Sequence, residues 1–336
     1  MGTVPLLHTT PPTSYTMSET TIAPQTADLA SLESPKRGVL LVNTKSRRGA
    51  EWFTEAKETL VAGGMELVEA KAVKNPGDMP DLVEKYIQGG MPIVIAGGGD
   101  GTFSSIAHLF ARKETVLGVL PLGTGNAFAR DLGIEARVDL ACQTIMQGKI
   151  ARVDMGLIGD RSFINIATVG LSTKIALGLQ DDMKKKLGRA VYLISLLRAL
   201  ATIVPFHVKL ELPSGIHEFD SLQLVIGNGR FHAGPFPVSP DASIDGGWLS
   251  IYALASRRKI DFLKMVLHMH GGKHVDLPEV QAFRVQSGRL STSLVQRITV
   301  DGETKLHTPI NFGIVPNALK VMVPKDFDED PHKAAC

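Results

Sequence analysis

The sequence predicts an α/β half built on a parallel sheet, followed by a half of short antiparallel strands arranged as a sandwich or barrel. Two textures carry that expectation. From Gly38 onward, apolar runs of strand length alternate with helical stretches, as in a parallel sheet covered by helices on both faces. After about Val153 the chain turns to short strands separated by Gly, Pro and Asn, a pattern of antiparallel packing. At 336 residues there is enough chain for two domains with their own cores.

The opening stretch, residues 1–36, is rich in Thr, Ser and Pro, lacks aromatic periodicity and reads as a disordered leader. Gly38 to Val42 is the first strand, ending at Asn43; Ala50 to Ala62 reads as a helix, Met65 to Ala70 as a strand, Asp78 to Gln88 as a helix and Pro92 to Ala96 as a strand. Val116 to Leu120 repeats the apolar strand pattern. In the β-rich half, strands are expected at Ser162–Val169, His207–Leu212, Ser221–Gly227, Trp248–Leu254, Arg284–Ser287 and Ser291–Val300. A helix is expected from Arg258 to Met269, with His268, His270 and His274 at or after its end and no further ligand at metal spacing. A longer helix, Ala190 to Val204, is entered through Lys184, Lys185, Lys186 and Arg189 and stopped by Pro205. It is too short and too charged to span a bilayer, and reads either as packed on the sheet or as facing a membrane with its lysines on anionic headgroups.

The net charge of +2 is too small for bulk nucleic-acid binding, so no nucleic-acid partner is expected. Cys142 and Cys336 are the only cysteines, which argues against a disulfide framework and for a reducing, cytoplasmic compartment.

The chemistry concentrates in two glycine clusters. The strand Ile93 to Ala96 runs into Gly97-Gly98-Gly99-Asp100-Gly101-Thr102, placing bare backbone N–H groups where a polyphosphate can approach, with Asp100 able to hold a metal or orient a phosphate. A neighbouring strand ends in Gly123-Thr124-Gly125-Asn126 before a helix. Two such loops at the carboxyl ends of adjacent strands converge on one crevice, the usual place for a ligand in an open α/β sheet. Neither a P-loop nor a dinucleotide fingerprint is present. Near the end of the chain, Asp301-Gly302-Glu303 follows an apolar strand; Asp-Gly is a strong hairpin-turn signal, and the glycine allows a sharp turn between two carboxylates.

These segments together resemble a known family: the lipid kinases that include bacterial diacylglycerol, sphingosine and ceramide kinases, with a deeper likeness to NAD kinases. The likeness rests on Asn43-Thr44-Lys45-Ser46-Arg47-Arg48-Gly49, the Gly98-to-Thr102 loop, Pro121-Leu122-Gly123-Thr124-Gly125-Asn126 with Phe128-Ala129-Arg130, and Asp301-Gly302-Glu303, in that order, from about Gly38 to Pro324. NAD kinases share the first glycine loop and lack the second run, so the lipid branch is preferred. The resemblance implies a nucleotide-binding α/β domain over 37–152, with 312–325 returning to it, a β-sandwich lipid domain over 153–311 and a tail at 326–336. It implies ATP and Mg2+ as cofactors, Asn43, Ser46, Gly97 to Thr102 and Gly123 to Asn126 around the nucleotide, Asp100 on the metal, and Glu303 as the base, with Asp301 as second choice or partner. It implies a lipid acceptor such as diacylglycerol, ceramide or a sphingoid base at a membrane surface, with peripheral contact at its inner face; a homodimer stays open.

Three positions depart from the family pattern. Gly246 replaces the second aspartate of an Asp-Asp-Gly-x-Leu segment that holds a structural magnesium, leaving Asp245 with little charge to bind a hard cation. Ala127 stands where Gly-Thr-x-Asn is followed by aspartate, and Asp131, four residues on, is a neighbour on the helix rather than an equivalent. Ser105 stands where a glutamate often closes the first loop. Ala127 and Gly246 give weight to a rival reading, a non-catalytic nucleotide- or lipid-binding homologue; an NAD kinase, which shares the first glycine loop, is the other alternative.

Overall fold

The computed structural model describes residues 36–45, 49–173, 199–232 and 236–328. Nearly all of the leader, Ser46 to Arg48, Lys184 to Lys186 and most of the helix expected from Ala190 to Val204 therefore lie outside the described residues.

The first half runs β1 (Arg37–Asn43), α1 (Gly49–Ala62), β2 (Glu66–Val73), α2 (Met79–Gln88), β3 (Ile93–Gly98), α3 (Asp100–Ile106), β4 (Val116–Pro121), α4 (Ala127–Asp131) and α5 (Val138–Gln147). Strands β2, β1, β3 and β4 pair in parallel in that order. All six residues of β3 and of β4 are buried, because helices cover both faces of the sheet, and this explains their unbroken apolar runs. The helices bury one stripe each: Met79, Val83 and Tyr86 on α2, and Val138, Ala141, Cys142 and Ile145 on α5. Burial pushes the Cys142 thiol up to about 12, so it behaves as a small apolar side chain.

The second half runs β5 (Lys149–Ile158), β6 (Arg161–Phe163), β7 (Ile166–Gly170), β8 (Phe206–Leu212), β9 (Gly215–Ser221), β10 (Gln223–Gly227), β11 (Phe231–His232), β12 (Phe236–Pro237) and β13 (Leu249–Leu254). It continues through α6 (Lys259–His268), β14 (Val280–Val285), β15 (Ser287–Thr292), β16 (Arg297–Val300), β17 (Glu303–His307) and β18 (Ile310–Val323). A six-stranded antiparallel sheet has the order β14-β13-β10-β7-β16-β17. Facing it across a core of Phe163, Val169, Phe206, Leu210, Leu224, Ile251, Ile298 and Phe312 is the far end of the first sheet. That sheet continues from β4 through β18 and β15 to β8 and β9, while β5 and β6 branch from β18. The outer face of the second sheet is covered by Leu200, Ile203, Phe262 and Met265, packed over Val225 and Tyr252.

The structure is therefore an α/β half with a parallel sheet and an antiparallel sandwich, with one sheet serving both. Several strand limits differ from the sequence reading. Ser291–Val300 is two strands, broken where Ser293 N–H donates to the His207 carbonyl. Arg284–Ser287 straddles the point where the chain leaves one sheet for the other, β14 ending at Val285 and β15 starting at Ser287. β9 was not expected, since its Gly-Ile-His-Glu-Phe-Asp-Ser run forms an edge with mostly exposed or half-buried residues.

Candidate active site

The two glycine loops meet. Gly99 follows β3 and Gly123 follows β4; a Cβ added to Gly123 would lie 2.5 Å from the Gly99 Cα, so only glycine permits this approach. The Leu122 N–H donates to the Gly98 carbonyl at 2.8 Å, locking one loop against the other. Within the second loop, Asn126 sits in the left-handed region at φ 48°. Its Oδ1 accepts from the Gly123 N–H and its Nδ2 donates to the Gly123 carbonyl, both at 2.9 Å, so one side chain closes the loop. Asparagine tolerates this conformation better than most residues.

Asp100 lies between the loops. Its Oδ1 accepts from the Phe128 N–H at 3.2 Å, and a Cβ on Gly125 would fall 2.8 Å from its Oδ2. Burial raises its pKa, opposed by backbone N–H groups of Phe128, Ala127 and Asn126. Beside it, a Cβ added to Gly101 would meet no atom of the described residues within 4 Å, and Thr124 is exposed, so among the described residues the mouth of the two loops is open. Asn43 joins from β1: its Nδ2 donates to Thr102 Oγ1 at 3.2 Å while its Oδ1 accepts from the Lys45 N–H at 3.1 Å. Asn43, Gly97 to Thr102 and Gly123 to Asn126 are thus one connected surface at the carboxyl ends of three adjacent strands. Ser46 falls outside the described residues.

The Asp301-Gly302 turn has positive φ at both residues, 46° and 92°, the geometry of a type I′ hairpin between β16 and β17. Its carboxylate does more than turn the chain. Oδ1 accepts from Asn165 and Ile166 N–H at 3.0 and 2.9 Å, and Oδ2 from Ile164 N–H at 2.9 Å. Burial raises the Asp301 pKa, opposed by these N–H groups and by the Ser104 hydroxyl of α3. Asp301 is thereby committed to fixing the turn against α3, whereas Glu303, the first residue of β17, is exposed.

Metal ligation is sparse. Among the described residues no three His, Cys, Asp or Glu side chains form a metal cluster. Asp245 is buried and its Oδ1 accepts from Ser243 Oγ at 2.5 Å, while Ala127, buried on α4, supplies no oxygen. Among the described residues, Asp100 fits the way magnesium is usually held beside a nucleotide, by one or two carboxylates with the phosphates and water completing the shell. His274 is buried with its ring edge-on to Tyr252, 4.6 Å between centroids, and belongs to packing.

Two further carboxylates hold distant segments together. Asp131 on α4 accepts, through Oδ1, from the Arg230 and Phe231 N–H groups at 3.0 and 3.1 Å. It faces the second half and does not take the place left by Ala127. Burial pushes its pKa up to about 8, against the pull of those N–H groups and of Arg230, and its buried Oδ2 has no hydrogen-bond partner. Asp154, buried in β5, accepts from Gly247 N–H at 2.6 Å and Asn317 N–H at 2.7 Å. Its signal in the sequence was an aspartate inside the apolar run Ala151 to Ile158.

Comparison with known proteins matches this arrangement. Residues 37–158 match the model of the diacylglycerol kinase catalytic domain, and residues 166–323 that of the YegS C-terminal NAD kinase beta sandwich-like domain. A Pseudomonas syringae pv. syringae protein named "Probable lipid kinase YegS-like" is 35% identical over 253 residues, covering 74% of this chain and 82% of its own. A Staphylococcus epidermidis protein named "Diacylglycerol kinase" is 27% identical over 302 residues, covering 88% and 95%. The crystal structure of a diacylglycerol kinase from Bacillus anthracis superposes with a TM-score of 0.70 at 21% identity, over 87% of this chain and 98% of that one, a likeness of fold. Converging glycine loops on a shared sheet and a relative 35% identical over 74% of the chain lead to one statement: this protein is a kinase and belongs to the lipid kinases built on the diacylglycerol kinase catalytic domain.

Proposed function

We propose that this kinase transfers the γ-phosphate of ATP to the hydroxyl of a membrane lipid, with diacylglycerol the first candidate and ceramide or a sphingoid base the next. The observation that carries the reading is the backbone contact of Gly99 with Gly123 under the Asp100 carboxylate, a surface of N–H groups with open space beside it. The phosphates lie along Gly97 to Thr102 and Gly123 to Asn126. Asp100 would hold a magnesium ion carried by the nucleotide, which would supply charge neutralisation. Glu303, fixed in place by the Asp301 turn, takes the hydroxyl proton. The lipid oxygen then bonds to the γ-phosphorus, the bond to the β,γ-bridging oxygen breaks and ADP leaves. Diacylglycerol comes first because the S. epidermidis relative carries that name. The test is phosphorylation of a panel of diacylglycerol, monoacylglycerol, ceramide, sphingosine and NAD with labelled ATP. Label in a lipid, abolished by Asp100→Ala, supports the reading; label in NAD alone, or none in any acceptor, refutes it.

A further inference from the structure

The described surface carries its large exposed apolar side chains unevenly. Ile260, Leu263 and Leu267 on α6 are spaced three and four residues apart, forming one stripe opposite the buried Phe262 and Met265, and Leu267 is 80% exposed. Val204, 68% exposed, adjoins the start of that helix, since Lys259 Nζ donates to the Ala201 carbonyl at 2.9 Å. Leu294 and Val295, 69% and 70% exposed, occupy the turn between β15 and β16. That turn is tied to the same end of the domain: Ser293 N–H donates to the His207 carbonyl, and Asp220 pairs with both His207 and Arg257.

The stripe has a cationic rim. Between Arg257 and Lys273 the chain carries Arg257, Arg258, Lys259, Lys264 and Lys273; Arg257 pairs with Asp220 and Lys264 with Glu279, so Arg258, Lys259 and Lys273 carry the rim's net charge, while Asp261, the lone acidic residue in that stretch, is buried and accepts from Ser256 Oγ at 2.6 Å. A helix with an apolar face and basic flanks suits the interface of an anionic bilayer, where each Lys or Arg near the surface contributes about 1 kcal/mol. No described helix is long and apolar enough to cross a membrane, so the contact lies in the interface. The stripe also leads toward the crevice. The segment His270–Asp276 after α6 packs on Pro240, near the hairpin of β11 and β12, whose Phe231 N–H reaches Asp131.

We propose that α6, with Val204 and the Leu294-Val295 turn, is the surface by which this protein docks on an anionic lipid bilayer. The inference rests on the lipid-acceptor reading above for the reason a bilayer is met. Its test is flotation of the full chain with vesicles of phosphatidylcholine alone and of phosphatidylcholine mixed with phosphatidylglycerol. The expected result is binding to the anionic vesicles, weakened by salt. Leu263→Ser with Leu267→Ser, and separately Arg258→Glu with Lys273→Glu, each weaken it about tenfold or more, at unchanged melting temperature because these side chains are exposed. Equal binding by parent and variants overturns the proposal. So does a dimer in solution that Leu267→Ser dissociates while vesicles go unbound. Turnover of a dispersed short-chain diacylglycerol separates the two readings. Flotation without turnover of any lipid refutes the kinase acceptor and keeps the docking surface; turnover without flotation does the reverse.

Discussion

Replacing Asp131 by asparagine changes how the stability of the protein depends on pH. Asp131 is the carboxylate of α4 that accepts the Arg230 and Phe231 N–H groups, and its pKa is raised from 3.8 to about 8. Between those two values the folded protein holds a proton that the unfolded chain releases, so raising the pH favours unfolding. The stability this group contributes is complete below about pH 4 and lost by about pH 8, at a slope of about 1.4 kcal/mol per unit. The asparagine side chain would keep an oxygen for both N–H groups and would not titrate. Its amide NH2 would occupy the place of Oδ2, against Gly229, where an added Cβ would collide with that oxygen. That NH2 brings two donors where the protonated acid brings one, and the additional unsatisfied donor costs about 1–3 kcal/mol at every pH. Asp131→Asn should therefore be less stable than the parent near pH 5, and equal or more stable near pH 8 to 9. Urea unfolding followed by the fluorescence of Trp52 and Trp248 across that range reads the difference. If the two midpoints keep a constant separation from pH 5 to 9, the carboxyl does not titrate there and the reasoning fails.

Other substitutions separate the parts of the site. Gly123→Ala forces the loops apart at the 2.5 Å approach to Gly99 and should raise KM for ATP and lower the melting temperature together. Gly101→Ala meets no atom of the described residues within 4 Å and favours α3 by up to about 1 kcal/mol, so it should hold or raise the melting temperature. If a nucleotide fills that space, the same variant raises KM for ATP; an unchanged KM would place the phosphates elsewhere. Glu303→Gln should lower kcat by about 10² to 10⁴ with KM for ATP little changed, measured on the preferred lipid. Asp301→Asn should act differently, lowering the melting temperature as well as kcat, since its carboxylate accepts three backbone N–H groups.

Much of the fold was legible because burial on both faces leaves a plain trace. β3 and β4 are apolar from end to end and finish in glycine loops, and the sequence alone places both loops at one crevice. β9 left no such trace, being a half-exposed edge, and the junction at Gln286 was hidden because neighbouring strands of different sheets carry the same alternation. In the site, Gly99, Asp100, Gly123 and Asn126 stand together as expected, since their contacts are short in sequence or fixed by strand pairing. Asp301 was read as a candidate for proton transfer, yet it spends its oxygens on Ile164, Asn165 and Ile166, about 135 residues away, and nothing local to it predicts that partnership. Asp131 was weighed only as a stand-in for Ala127; its reach across to Arg230 depends on how the two halves meet.

The placement of β18 bears on how the chain is made. Strand β4 has β3 on one side and β18 on the other, and β5 pairs along most of β18. While the ribosome is still synthesising residues before Ile310, the parallel sheet around the glycine loops presents β4 and β5 with unpaired backbone. Such an edge invites pairing with another nascent chain. The sheet that carries the crevice is thus completed by β18, the last of the described strands to be synthesised, and termination before Ile310 would leave the first half with an open edge.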